Sequence, residues 1–169
     1  MPEAVKLKIV IFGAFGAGKT TFIQTIDPKA THIEANCAGG TTTVALDFGR
    51  VELDGRQLHV YGTPGQERFE FAREIIARGM DGAVLLVDAS SPVDEFTRHL
   101  HTSLISAKVP FVVFLNRCDE KGPVPAAIAA EFGSVPVWIV STLDRKQSLD
   151  ALGRFSGRLP LHVNGPSGQ

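Results

Sequence analysis

Eight residues, Gly13-Ala14-Phe15-Gly16-Ala17-Gly18-Lys19-Thr20, decide most of what this chain can fold into. They follow residues 6–12, where Leu7, Ile9, Val10, Ile11 and Phe12 are apolar and read as a buried strand. They lead into a helical segment over residues 19–26, which Asp27-Pro28 closes. A glycine loop between a strand and a helix N-terminus turns backbone N–H groups onto an anion. Glycine permits that turn without steric cost. Lys19 adds a point charge for the β- and γ-phosphates of a nucleotide, and the Thr20 hydroxyl is a ligand suited to Mg²⁺. The plain alternative is a turn that only connects strand to helix. Four specified positions in this context argue against it.

The rest of the chain alternates strand and helix. Residues 83–88, 109–115 and 135–140 are nearly continuous apolar runs, as expected of parallel strands covered on both faces. Residues 43–53 and 56–61 flank Asp54-Gly55, a two-residue hairpin signal, and are expected to be antiparallel. Helices are expected over 69–78, 93–106, 125–131 and 147–156. The pattern predicts an α/β fold: a three-layer P-loop domain with a six-stranded, mostly parallel sheet, one antiparallel edge strand and helices on both faces. A single domain over 1–158 and a mobile tail over 159–169 complete the expectation. Ligand belongs at the carboxyl ends of the parallel strands, where the glycine loop lies.

Composition narrows the function by exclusion. A formal net charge of −1 offers no electrostatic footprint for nucleic acid or an anionic membrane. No apolar stretch approaches the ~20 residues that span a bilayer. No lipidation motif is found at either end, so no membrane anchor is expected. Cys37 and Cys118 match neither a metal spacing nor a redox motif, which suggests a reducing, cytoplasmic setting. None of the five histidines has a partner at metal-ligand spacing.

The base is read further along. Phe114-Leu115-Asn116-Arg117-Cys118-Asp119 leaves a buried strand at its carboxyl end. A carboxylate at Asp119 can accept from guanine N1–H and the 2-amino group, a donor pair that adenine lacks. Asn116 can tie this loop to the phosphate loop, the Arg117 stem can lie against the base, and Ser141-Thr142 can contact it through backbone and hydroxyl groups.

With these residues in order, the chain resembles the Ras-like small GTPases. Asn116-Arg117-Cys118-Asp119 is similar to N-K-x-D, Ser141-Thr142-Leu143 to S-A-x, Thr63-Pro64-Gly65-Gln66-Glu67-Arg68-Phe69 to the T-A-G-Q-E-R-F run that starts switch II, and Thr43-Val44-Ala45-Leu46-Asp47-Phe48 to the switch I strand entry T-I-G-V-D-F. The resemblance implies a GTP/GDP switch that hydrolyses GTP slowly, with Mg²⁺ as cofactor. It places nucleotide contacts at Gly13 through Thr21, Thr43, Gly65, Asn116, Arg117, Asp119 and residues 141–143. Gln66, Lys19 and Thr43 carry hydrolysis, and Thr20, Thr43 and Asp47 face the metal. It also implies a regulator or effector protein, of roadblock type, at the two switch segments. A nucleotide-holding scaffold without useful turnover is the alternative.

Three departures stand out. Gly62 occupies the place of the aspartate that holds a metal-bound water, which points to gliding-motility and conservon-type branches. Asp47 either supplies the missing acid or is a solvated strand residue. Phe15 either blocks an incoming arginine or packs on switch II. Residues 28–43 contain no arginine, while Arg68 and Arg73 read as solvated switch II charges. Finally, Phe69 and Phe71 diverge by about 200° on one helix, so at least one of them is exposed or covered by a partner.

Overall fold

The computed structural model describes residues 5–37, 42–119, 122 and 125–161, with backbone alone at 35–37 and 42–45. β1 (Val5–Phe12) feeds the glycine loop and α1 (Lys19–Ile26). Then come β2 (Thr31–Cys37), β3 (Thr42–Leu53) and β4 (Arg56–Gly62), a 3-10 turn at Glu67–Phe69 and α2 (Glu70–Ala77). The chain continues through β5 (Gly82–Asp88), α3 (Glu95–Ala107), β6 (Phe111–Asn116), α4 (Pro125–Ala130), β7 (Val137–Ile139) and α5 (Arg145–Ser156).

Seven strands form one sheet in the order β2-β3-β4-β1-β5-β6-β7. The sheet therefore has one strand more than expected, and β3 is not its edge. Thr31–Cys37 pairs antiparallel with β3 and takes the edge itself. The hairpin at Asp54-Gly55 is present, with Asp54 at φ 51° and Gly55 at φ 76°, the left-handed pair such a turn requires. From β4 to β7 every pairing is parallel, which turns the carboxyl ends of β1, β5 and β6 to one rim.

Alternation along β1 divides the core. Leu7, Ile9 and Ile11 pack beneath α1 and α5 with Phe22, Ile23, Leu152 and Phe155. Val10 and Phe12 pack beneath α3 and α4 with Phe96, Leu100, Leu104 and Ile128. Leu159, expected to open the tail, belongs to the first cluster and is buried. It sits over Gly82, where an added Cβ would lie 2.9 Å from its Cδ2. The absent side chain is the seat for Leu159, and residues 162–169 lie outside the described residues.

His101 on α3 stacks edge-on against Phe111 and Phe132, and its buried Nε2 has no hydrogen-bond partner. Burial holds its pKa below the ordinary 6.5 because the charged ring would lose solvation. The unfolded chain therefore takes up this proton first, and the folded state loses stability as pH falls below 6.5. His59 has the same sign, from burial first and then the charges of Arg50 and Lys6. Urea unfolding at pH 7 and pH 5 should show a smaller stability difference for His101→Leu than for wild type.

Candidate nucleotide site

The glycine loop is built as its sequence requires. Gly16 (φ 82°) and Gly18 (φ 108°) are left-handed, and Gly18 caps α1. A Cβ on Gly13 would lie 2.6 Å from the Leu86 carbonyl, so the loop also needs glycine to sit against β5. Ala17 is buried, and Lys19 is only 8 % exposed. The Lys19 Nζ donates to the Gly13 carbonyl (2.7 Å) and the Ala14 carbonyl (2.9 Å). Burial lowers its pKa to about 8; the Asp47 charge opposes that shift and the Arg73 charge adds to it. A cavity of about 390 Å³ opens over this lysine, lined also by Thr20, Thr21, Asp47, Gly65 and Arg117.

Asp47 belongs to this floor. The Thr20 Oγ1 donates to its Oδ2 at 2.6 Å, and His32 Nδ1 lies 2.8 Å from its Oδ1. The carboxylate bond raises the His32 pKa. Register explains the placement, since Asp47 pairs with Gly62 across β3 and β4. A Cβ at Gly62 would meet Ile23 Cδ1 at 2.9 Å and Asp47 Cβ at 3.4 Å. The space beside residue 62 is thus taken by Ile23 of α1 and by Asp47 of the neighbouring strand. A hydroxyl and a carboxylate converging here are hard oxygen donors, the set that suits Mg²⁺, which needs only one or two protein ligands. Among the described residues no group of three His, Cys, Asp or Glu side chains is arranged to hold a metal ion by itself.

Thr43 is not brought to this floor. Its backbone partner is Asn36 on β2, four residues along β3 from Asp47, or roughly 13 Å. The position is held by the strand that sequence did not reveal.

Switch II lies across the cavity mouth. The Phe15 N–H donates to the Gly65 carbonyl at 2.9 Å, while the Phe15 ring is 80 % exposed and does not pack on switch II. Gln66 is exposed. Phe69 is half-buried, and Phe71, 69 % exposed, is the outward aromatic of the pair. Arg73 corrects the expectation of a solvated charge: it is 5 % exposed, with its guanidinium on main-chain carbonyls of switch II.

The base loop is anchored by Asn116, which is 3 % exposed. Its Nδ2 donates to the Ala17 carbonyl and to Thr142 Oγ1, both at 3.1 Å, and its Oδ1 accepts from the Thr142 N–H at 3.2 Å. A Cβ at Gly18 would lie 2.6 Å from that Nδ2, so the two loops touch. Thr142 accordingly spends its hydroxyl and N–H on Asn116 rather than facing a base, and Leu143 beside it is 83 % exposed. The Ser141 N–H donates to Gln147 Oε1. Arg117, at φ 62°, donates from Nη1 to the Gly16 carbonyl (2.8 Å) and to Asp88 Oδ2 (2.9 Å). Asp119 is exposed at the loop tip.

A family model, the elongation factor Tu GTP binding domain, matches residues 24–146. The chain belongs to this family of GTP-binding domains. An uncharacterized protein of Methanocaldococcus jannaschii is 31% identical over 87% of this chain and 92% of its own length. Translation initiation factor IF-2 of Mesoplasma florum is 32% identical over 73% of this chain but only 19% of the factor. Among solved structures, the G domain of the FeoB iron transporter of T. maritima superposes with a TM-score of 0.69. It has 18% identity and covers 89% of this chain and 96% of that domain, a likeness of fold. The P-loop GTPase reading therefore stands, while the Ras-like and conservon-type resemblance is finer than this membership reaches. No helix among the described residues is long and apolar enough to cross a membrane.

Proposed function

We propose that this chain is a small guanine-nucleotide switch, binding GTP and GDP with Mg²⁺ and hydrolysing GTP slowly until a partner accelerates it. The observation that carries the reading is Asn116. By bonding to Ala17 and Thr142 it makes the phosphate loop and the base loop one unit, so that a guanine held at Asp119 and phosphates held at Lys19 belong to one ligand. Gly13 through Thr21 cradle the phosphates, Lys19 neutralises their charge and Thr20 holds the metal. Asp47 orders a metal-bound water in place of the acid absent at Gly62. Arg117 covers the base, and the loop at residues 141–143 contacts it.

Hydrolysis falls to Gln66, which orients water, with the Gly65 N–H and Thr43 sensing the third phosphate. Thr43 reaches it only after the β2–β3 pairing yields, a rearrangement of the kind that orders switch segments around a γ-phosphate. The exposed Gln66 and the Phe15 ring at the cavity mouth support a slow intrinsic rate and a need for a partner. Phe71 gives such a partner, a roadblock-type regulator or an effector, an aromatic anchor. A reducing, cytoplasmic compartment suits this role. Phe15 and Gly62 favour a second reading, a nucleotide-holding module without turnover, against which Gln66 beside Gly65 stands. Phosphate release with GTP and Mg²⁺ separates them. Wild type should release phosphate, and Gln66→Ala, which leaves the water unpositioned, should lower the rate about 100-fold; no release from wild type would favour the holding module.

A further inference from the structure

The switch II loop is held from two sides. On the phosphate side, the Phe15 N–H donates to the Gly65 carbonyl. A Cβ at Gly65 would lie 2.6 Å from Phe15 N and 2.8 Å from Lys19 Nζ. The Gly65 backbone is therefore packed against the ammonium group, with its carbonyl turned to the phosphate loop. On the other side stands Arg73 of α2. Its Nη1 donates to the Gln66 carbonyl (2.6 Å) and the Pro64 carbonyl (3.3 Å), and its Nη2 to the Glu67 carbonyl (3.1 Å). These three acceptors bracket Gly65. The guanidinium lies 4.8 Å from the centre of the Phe96 ring on α3, which is itself buried. Among the described residues no carboxylate forms an ion pair with Arg73. Its hydrogen bonds go to this one loop.

We propose that Arg73 is a specificity-determining positioning residue. It latches Gly65 into the space beside Lys19 that a third phosphate needs, so the latched loop accepts a nucleoside diphosphate and a triphosphate has to release it. The inference rests on the guanine-nucleotide reading above. The lysine of such a loop serves the β- and γ-phosphates, so a terminal phosphoryl group and the Gly65 backbone compete for one place. The loop then has two positions, and whatever stabilises one of them shifts the balance of the two ligands by its differential effect. Arg73 stabilises only the closed position, because its three acceptors are carbonyls of the loop that must move. A partner that draws α2 away from α3 would open the same latch.

The test compares fluorescent GDP with a non-hydrolysable GTP analogue, in Mg²⁺, on wild type, Arg73→Lys and Arg73→Met. In Arg73→Met the affinity ratio should move about tenfold toward the triphosphate. Arg73→Lys should fall between, because one ammonium cannot span three carbonyls. A purely structural arginine would weaken both ligands alike and leave the ratio where it is; that result in a folded variant overturns the latch. If melting shows that Arg73→Met does not fold, Phe96→Leu, which removes only the ring beneath the guanidinium, should move the ratio in the same direction. An unmoved ratio there overturns the latch equally. Wild type that binds neither nucleotide overturns the guanine reading and the latch with it. Wild type that binds both, beside variants with an unmoved ratio, overturns the latch alone.

Discussion

Asp119→Ala is expected to weaken GDP binding by about 10²- to 10⁴-fold, with the folded state kept. The carboxylate is proposed to accept two hydrogen bonds, from guanine N1–H and the 2-amino group. Each such bond to a charged acceptor contributes about 1.5–3 kcal/mol, and both are lost together. The fold is spared because Asp119 is exposed at a loop tip, whereas the anchoring of that loop belongs to Asn116. Asp119→Asn gives a sharper result. Its amide places a donor where the 2-amino group also donates, so GDP should weaken while a base with an oxygen at that position gains. Displacement of a fluorescent GDP by GDP, ADP and xanthosine diphosphate would measure both effects. Unchanged GDP affinity in Asp119→Ala would remove the base loop from the proposed function.

The parts of the fold legible in sequence are those whose signal is local. The glycine loop names its own backbone geometry, the Asp54-Gly55 turn pairs β3 with β4, and continuous apolar runs mark the parallel strands. The seventh strand was not legible for the opposite reason. Thr31–Cys37 has mixed polar character with no clean alternation, and it is a strand because β3 pairs with it along seven residues. Gly62 likewise reads as a missing acid, and only cross-strand register shows Asp47 directly beside that position.

Arg73 is a different kind of miss, because its signal was present. Phe69, just ahead of α2, and Ala72, Ile76 and Ala77 on it trace one inward stripe, and Arg73 lies within that stripe rather than opposite it. An arginine on an inward face has to find acceptors. Here the acceptors are carbonyls of a loop, which no periodicity describes. Thr142 shows the same limit at the base: its residue type suits a base contact, but Asn116 takes both its hydroxyl and its N–H.

On the metal side of the proposed site, Asp47→Ala should weaken GDP binding about 10- to 100-fold in Mg²⁺, the usual cost of losing a side chain that orients a metal's ligands. The same variant should bind GDP as wild type does when Mg²⁺ is chelated. That contrast separates the metal role from a structural one, because Asp47 also bonds to His32 and could act by holding β2 alone. A structural role would weaken binding equally with and without the metal. Gly62→Asp supplies the second half of the argument. In wild type the added carboxylate would crowd Asp47, whose Oδ2 lies 3.7 Å from the new Cβ, while the Cβ itself would press on Ile23 Cδ1 at 2.9 Å. In the Asp47→Ala background the carboxylate space is vacated, and the Ile23 methyl, at the end of a flexible side chain, can turn aside. Gly62→Asp should therefore weaken Mg²⁺-dependent binding alone and restore part of it in the double variant. That reversal of sign follows only if residues 47 and 62 are two routes to one position beside Thr20; additive losses would mean that they are not.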